Sequence, residues 1–194
     1  AHIRAAPYHG RPGFHLAIHP YPQSLEEEAQ LKDGRKIMLR PIKPEDEPAH
    51  HVLIGRMTAD DLRMRFFSVL QNLPHSEMAR LTQIDYDREM AFIATLYNDQ
   101  GEAETLGAVR TVADADETEA EFAIAIRSDM KGQGLGRKLM EKILAYHRKD
   151  KKVARVHGTI LAENMPMREL AKRLGFTIKE GPEPDIVLAE IFLT

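Results

Sequence analysis

Cysteine is absent from the 194 residues, and so is tryptophan. Without cysteine the chain has no disulfide, no thiolate metal ligand and no thiol nucleophile. No apolar run approaches the 18 or more residues that a membrane span needs, and no signal peptide is visible at the start. Neither sign of charge dominates: 27 Lys and Arg stand against 30 Asp and Glu, a net charge of −3, with a pI near 6.3. No large basic excess exists to offset phosphates, which argues against nucleic acid as the main partner. Serine occurs only four times and never in a Gly-x-Ser-x-Gly elbow. The composition implies a soluble, cytoplasmic protein with neither a nucleic-acid nor a membrane partner. It carries no signal for an oligomeric state. Because the sequence begins on Ala, it is expected to be an excised piece of a longer chain.

What is present suits one globular domain. Apolar residues make up 43% and charged residues 29%, and a chain this long can bury a core without staples. Residues 1–32 stand apart. They hold Pro7, Pro12, Pro20, Pro22, Gly10, Gly13 and four of the nine histidines, with no sustained period. This segment is expected to be a linker or the tail of an upstream module. His15 and His19 are four apart, but the surrounding Pro and Gly disfavour the helix that would make them metal ligands. No metal is expected.

From residue 33 the pattern is regular. Asp33-Gly34 signals a turn, and Arg35 to Ile42 reads as a strand. Pro44 with the acids at 45–47 marks a helix start, and helical segments run to about Phe67. Pro74 to Ile84 is a second helical stretch. Strands are expected at 90–97, 105–112 and 119–127, joined by polar hairpin connections. A helix over 135–150, a strand over 153–161, a helix over 165–174 and strands at 176–179 and 186–193 complete the order. The fold class is α/β, with a single, mostly antiparallel mixed sheet and helices on both faces.

The sharpest feature is Lys131-Gly132-Gln133-Gly134-Leu135-Gly136-Arg137, between a strand and a helix. Glycines let the backbone turn tightly and approach a ligand. A helix N-terminus offers unpaired N–H groups and partial positive charge. Lys131, Arg137 and Lys138 add full charges. Together these make a pyrophosphate cradle. The spacing G-x-G-x-G is neither a P-loop nor a dinucleotide fingerprint.

This segment resembles the acyl-CoA-binding motif Arg/Gln-x-x-Gly-x-Gly/Ala of the GNAT superfamily. Lys131, Gly134 and Gly136 fall on its fixed positions, with Lys as a departure at the first. The order of elements from about residue 33 to 194 is similar to that fold. So is the run Asn164 to Leu174-Gly175-Phe176. Within the superfamily the chain looks closest to Pat-type bacterial protein lysine acetyltransferases. The run Leu81-Thr82-Gln83-Ile84-Asp85-Tyr86-Asp87-Arg88-Glu89-Met90-Ala91 carries that likeness, with Arg63-Met64-Arg65-Phe66-Phe67 and Ala120-Glu121-Phe122. In many members an acyl-CoA-synthetase-like region precedes this domain, which would account for residues 1–32.

The resemblance implies acetyl-CoA as cosubstrate and a protein lysine as acceptor, an acyl-CoA synthetase being the expected target. It implies two parallel strands, 119–127 and 153–161, that splay apart. The pantetheine arm would pair with Ile124, Ala125 and Ile126 as an added strand. An N–H near Ile124 would face the thioester oxygen. Gly132, Gln133, Leu135 and Asn164 complete the expected cofactor contacts. Asn164 would orient the pantetheine or a water, or else cap a helix. A lysine amine near pKa 10.4 costs roughly 4.6 kcal/mol to neutralise at pH 7, so a general base is expected. Glu121 is the candidate and Glu119 the runner-up. Strand parity puts Glu119, Glu121 and Ala123 on one face, unless a bulge intervenes. The Tyr that many members carry seven residues after the Asn is replaced here by Ala171, so no dedicated acid is expected for the departing thiol. Two alternatives stay open: a small-molecule amine acetyltransferase, and a non-catalytic acyl-CoA sensor.

Overall fold

The computed structural model describes residues 20–67, 75–98 and 100–193. Eight strands form one sheet in the order β1-β2-β3-β4-β5-β6-β8-β7. They are β1 (Glu27–Gln30), β2 (Lys36–Pro41), β3 (Glu89–Tyr97), β4 (Ala103–Ala113), β5 (Glu119–Ile126), β6 (Arg155–Leu161), β7 (Thr177–Glu180) and β8 (Ile186–Phe192). The helices are α1 (Glu47–Gly55), α2 (Ala59–Phe66), α3 (His75–Thr82), α4 (Leu135–Asp150) and α5 (Met165–Arg173). The pairing of β5 with β6 is parallel, and every other ladder is antiparallel. A helix must bridge parallel neighbours, and α4 does so.

The apolar pattern explains the layers. In α4, Leu135, Leu139, Met140, Ile143, Leu144 and His147 are buried, a stripe at helical spacing that lies on the sheet. Strand β3 is buried from Met90 to Thr95, because both its faces are covered. Met90, Phe92 and Ala94 join the cluster under α4. Ala91 and Ile93 pack with Ile42 on the opposite face, where α1 lies. Helices thus sit on both faces, as expected.

The fold begins earlier than the boundary expected at residue 33. Glu27–Gln30 pairs with Lys36–Leu39, and Leu31 is 3% exposed within the main core. Tyr21 sets its ring edge-on to Tyr86 at 6.3 Å. Strand β1 escapes a sequence reading because its residues are polar and its side chains mostly exposed; only the ladder with β2 defines it. Residues 1–19, with His15 and His19, lie outside the described residues. Pro44 opens a short 3₁₀ turn ahead of α1. There Asp46 accepts from the Lys43 N–H at 2.7 Å and binds Arg40 through both carboxylate oxygens.

The β5–β6 ladder is short. It pairs Glu119 with Arg155, Ala120 with Val156 and Glu121 with His157, and then stops. Each strand keeps its other neighbour to the end: β5 pairs with β4 as far as Ile126, and β6 with β8 as far as Leu161. The two strands therefore splay. The Phe122 ring fills the space over Gly158, where an added Cβ would lie 2.7 Å from it. That ring is held edge-on against Phe176 at 5.3 Å.

Two outcomes follow. Gly158→Ala should destabilise the fold by about 1–3 kcal/mol through overpacking, read as a lower denaturant midpoint. His147 is 5% exposed, with Nε2 2.8 Å from the Thr111 hydroxyl, and burial lowers its pKa to about 4. The unfolded chain takes up this proton more readily than the folded one. Its contribution is full above about pH 6.5 and is lost as pH falls through 4, by about 3 kcal/mol. Stability measured from pH 7 to 4 should fall less steeply in His147→Gln than in the parent chain.

Candidate active site

The cradle is built at the exit of β5. Arg127 is 5% exposed and spends its guanidinium on Glu104 at 2.8 Å and Asp129 at 2.7 Å, which anchors the turn. Met130 is buried beneath it. Gly132 and Gly134 have φ of 79° and 82°, a left-handed backbone that glycine adopts at no steric cost. Gly134 caps α4. Among the described residues, the backbone N–H groups of Gly132, Gln133, Gly134, Leu135, Gly136 and Arg137 donate to no protein acceptor. They lie at the positive end of a 16-residue helix.

The basic side chains are arranged differently from the expectation. Lys131 turns to α2 and pairs with Asp61, which also accepts from the Ser128 hydroxyl. Burial alone would raise the Asp61 carboxyl, but Lys131 and Ser128 hold it below the usual carboxylate range. Arg137 pairs with Glu141 at 2.7 Å along the helix. Lys138 makes no ion pair among the described residues. A further base, Lys32, comes from the β1–β2 turn: its N–H donates to the Gln133 carbonyl at 3.3 Å, and its Cε lies 3.7 Å from where a Cβ on Gly134 would be. No sequence signal could have found Lys32, since a turn about a hundred residues away delivers it.

The gap beside the cradle presents strand edge. Along β5 the ladder with β4 runs one to one from Ala120 to Ile126, without a bulge. The Arg127 N–H donates to Leu106 and the Asp114 N–H to the Glu119 carbonyl. Peptide groups of odd-numbered residues therefore point to β4. Those of Ile124 and Ile126 point the other way, into the gap that β6 has left. Ala125 differs from its two neighbours: its peptide groups serve β4, and its side chain lines the opposite face of the sheet. Gly136 sits against the same edge, where an added Cβ would come within 3.4 Å of Leu170 and 3.9 Å of Ile124 and Ile126. Free N–H groups, nearby lysines and an unpaired strand edge fit the diphosphate and amide-bearing arm of acetyl-CoA.

At the other end of the gap stands Glu121. It is exposed and occupies the last register of the parallel ladder, opposite His157. Without a bulge, strand parity holds, and Glu121 shares its face with Ala123 and Ala125, away from α4. Among the described residues it makes no hydrogen bond or ion pair. Glu119 is engaged by Arg155 at 2.7 Å, which also holds Glu190. Asn164 accepts the Met167 N–H at 3.1 Å and caps α5, the second of its two expected roles. Ala171 is fully buried, so no hydroxyl stands at that position. Arg63 of α2 pairs with Glu163 at 2.5 Å beside Asn164, which ties α2 to the loop before α5. No cluster of three His, Asp or Glu among the described residues is placed to hold a metal ion.

Comparison with known proteins agrees with this geometry. Residues 36–177 match the family model of the acetyltransferase (GNAT) domain. The chain is 30% identical over 153 residues to Acetyltransferase PA5475 of Pseudomonas aeruginosa, covering 79% of this chain and 81% of that protein. The GNAT domain of S. lividans PAT superposes with a TM-score of 0.81 at 25% identity, covering 90% of this chain and 100% of that one. RimL, a ribosomal-protein α-N-acetyltransferase solved with coenzyme A, has a TM-score of 0.67 at 14% identity. It covers 81% of this chain and 94% of its own, a likeness of fold alone.

Replacing Gly134 by Val tests the cradle. A β-branched residue is strained at this φ, and rearrangement there would misdirect the free N–H groups. Isothermal titration should show coenzyme A affinity lost in Gly134→Val, with most of the thermal stability retained.

Proposed function

The chain belongs to the GNAT acetyltransferase family, and we propose that it transfers acetyl from acetyl-CoA to the ε-amine of protein lysines. The observation that carries this reading is the free Glu121 carboxylate where β5 and β6 part, at the far end of a gap that begins at an anion cradle. The likeness to the S. lividans PAT domain and the Ala120-Glu121-Phe122 run support the protein acceptor. Acyl-CoA synthetases are the substrate class we put forward.

The chemistry follows from the placement. The cosubstrate lies along the gap, its diphosphate at the N–H groups of residues 132–137 and its arm on the edge at Ile124 and Ile126. Glu121 takes a proton from the incoming ammonium, directly or through a water. The freed nitrogen attacks the thioester carbon, and a backbone N–H of the β5 edge stabilises the developing oxyanion. The carbon–sulfur bond breaks, the nitrogen gives up its second proton to the departing sulfur, directly or through a water, and coenzyme A leaves as a thiol. With no cysteine in the chain, transfer is direct within a ternary complex. Glu119, held by Arg155, is the less available carboxylate. A small-molecule amine acceptor, or a sensor without turnover, would leave the cradle in place and change only the acceptor side.

The test is incubation with acetyl-CoA and a purified acyl-CoA synthetase, with acetyl-lysines mapped by mass spectrometry. Coenzyme A release without protein acetylation would overturn the protein acceptor. Glu121→Gln should lower kcat near pH 7 by about a hundredfold or more while acetyl-CoA affinity stays unchanged. Unaltered turnover in that variant would move the base elsewhere.

A further inference from the structure

Between α1, α2 and the sheet lies a narrow cleft, partly open to solvent. It is on the face of β5 that carries Glu121, Ala123 and Ala125. Much of its wall is apolar: Ile42, Ile54, Phe66 and Leu81. Three nitrogen-bearing side chains also enter it: His50, Arg65 and Arg110.

Their hydrogen bonding is incomplete. Arg110 donates to the carbonyls of Arg80 at 3.0 Å and Leu81 at 2.9 Å, and lies 3.7 Å from Glu89. Its charge is largely met. His50 is 5% exposed, and its Nδ1 has no partner. Arg65 rests on the Phe66 ring at 4.7 Å and, among the described residues, makes no hydrogen bond or ion pair. Burial, reinforced by Arg110, lowers its pKa to about 10, and the nearby Glu121 partly opposes this. A guanidinium brings five donors in a rigid fork, and that of Arg65, half-buried on the cleft wall, meets no acceptor among the described residues. A ligand that supplies two coplanar oxygens would satisfy it.

We propose that this cleft binds a carboxylate of the acceptor, with Arg65 as its anchor and His50 and Arg110 beside it. The proposal rests on the amine-acceptor reading above and names what else the acceptor carries. One guanidinium without a partner among the described residues balances a monoanion, and its planar fork matches a carboxylate. A phosphate dianion would bring a second charge that no free cation in the cleft meets, close to Glu121. The apolar wall receives the carbon stem that joins carboxylate to amine. That carboxylate has two sources, an acidic side chain beside the acceptor lysine in a protein, or a free amino acid.

The binding arm uses the Arg65 Nε–H resonance of the full chain, titrated with N-acetylglutamate and with its amide counterpart, N-acetylglutamine. The acid should shift it and the amide should not; no shift, or equal shifts, overturns the proposal. The transfer arm compares lysine peptides that differ only in Glu or Gln beside the lysine, and free glutamate against glutamine. The acid should win by about ten- to a hundredfold in kcat/KM, as a charge-assisted pair implies. That ratio should collapse toward one in Arg65→Gln and be intermediate in Arg65→Lys. A parent ratio near one in both pairs overturns the proposal. Preference in the peptide pair assigns the carboxylate to a protein, and preference in the amino-acid pair to a small molecule. If the acid shifts Arg65 but no lysine peptide is acetylated, the carboxylate site stands and the lysine reading fails.

Discussion

The contact of the Phe122 ring with the bare backbone of Gly158 governs the rest of this structure. Sheets gain most when every strand edge is paired. Here β5 and β6 are parallel neighbours, yet their ladder ends after three registers. The ring occupies the volume in which a side chain on β6 would stand, and Phe176 holds it there. Because β4 and β8 keep their partners to the end, the cost of parting falls on one stretch of backbone, the edge at Ile124 and Ile126. An edge left open inside a sheet is both a loss of hydrogen bonding and a place for an extended ligand to add itself.

Two further constraints meet at that gap. The polypeptide leaves β5 through a turn with two left-handed glycines and enters α4. The unpaired N–H groups of a long helix therefore lie beside the unpaired strand edge. At the other end, the last paired residue is Glu121. On the proposed reading, anion binding and proton acceptance are thus separated along one strand. The site needs no unusual side-chain chemistry for this, since most of its binding groups are backbone. On the proposed acceptor side, side chains would act instead: Glu121 on β5 lies within electrostatic reach of Arg65 on α2, which lines the neighbouring cleft.

Much of this was legible from residue order. The glycine spacing at 132–136, the alternation in β4 and β5 and the stripe in α4 are local patterns with local causes. They appear in the structure within a residue or two of the expected bounds. The face that Glu121 shares with Ala123 also follows strand parity, because β5 carries no bulge. Other features had no local cause. Strand β1 is polar and is a strand only through its pairing with β2. Ala125 looks like its neighbours in sequence, but the direction of its peptide groups depends on the register with β4. Lys131 reads as a cradle base until Asp61 of α2 is brought beside it, while Lys32 takes a place at the cradle from another turn.

The sequence alone determined the order of elements, the left-handed turn before α4, the lack of any thiol route and the family. Each of these depends on residue type and short-range spacing, which sterics and hydrogen bonding act on directly. Tertiary structure alone decided where the β5–β6 ladder ends, which peptide groups face the gap, which carboxylate stays free and which cations are already paired. Those outcomes depend on distances between residues far apart in the chain. Glu119 and Glu121 are alike as residues, and the approach of Arg155 from β6 ties up one while the other makes no ion pair among the described residues.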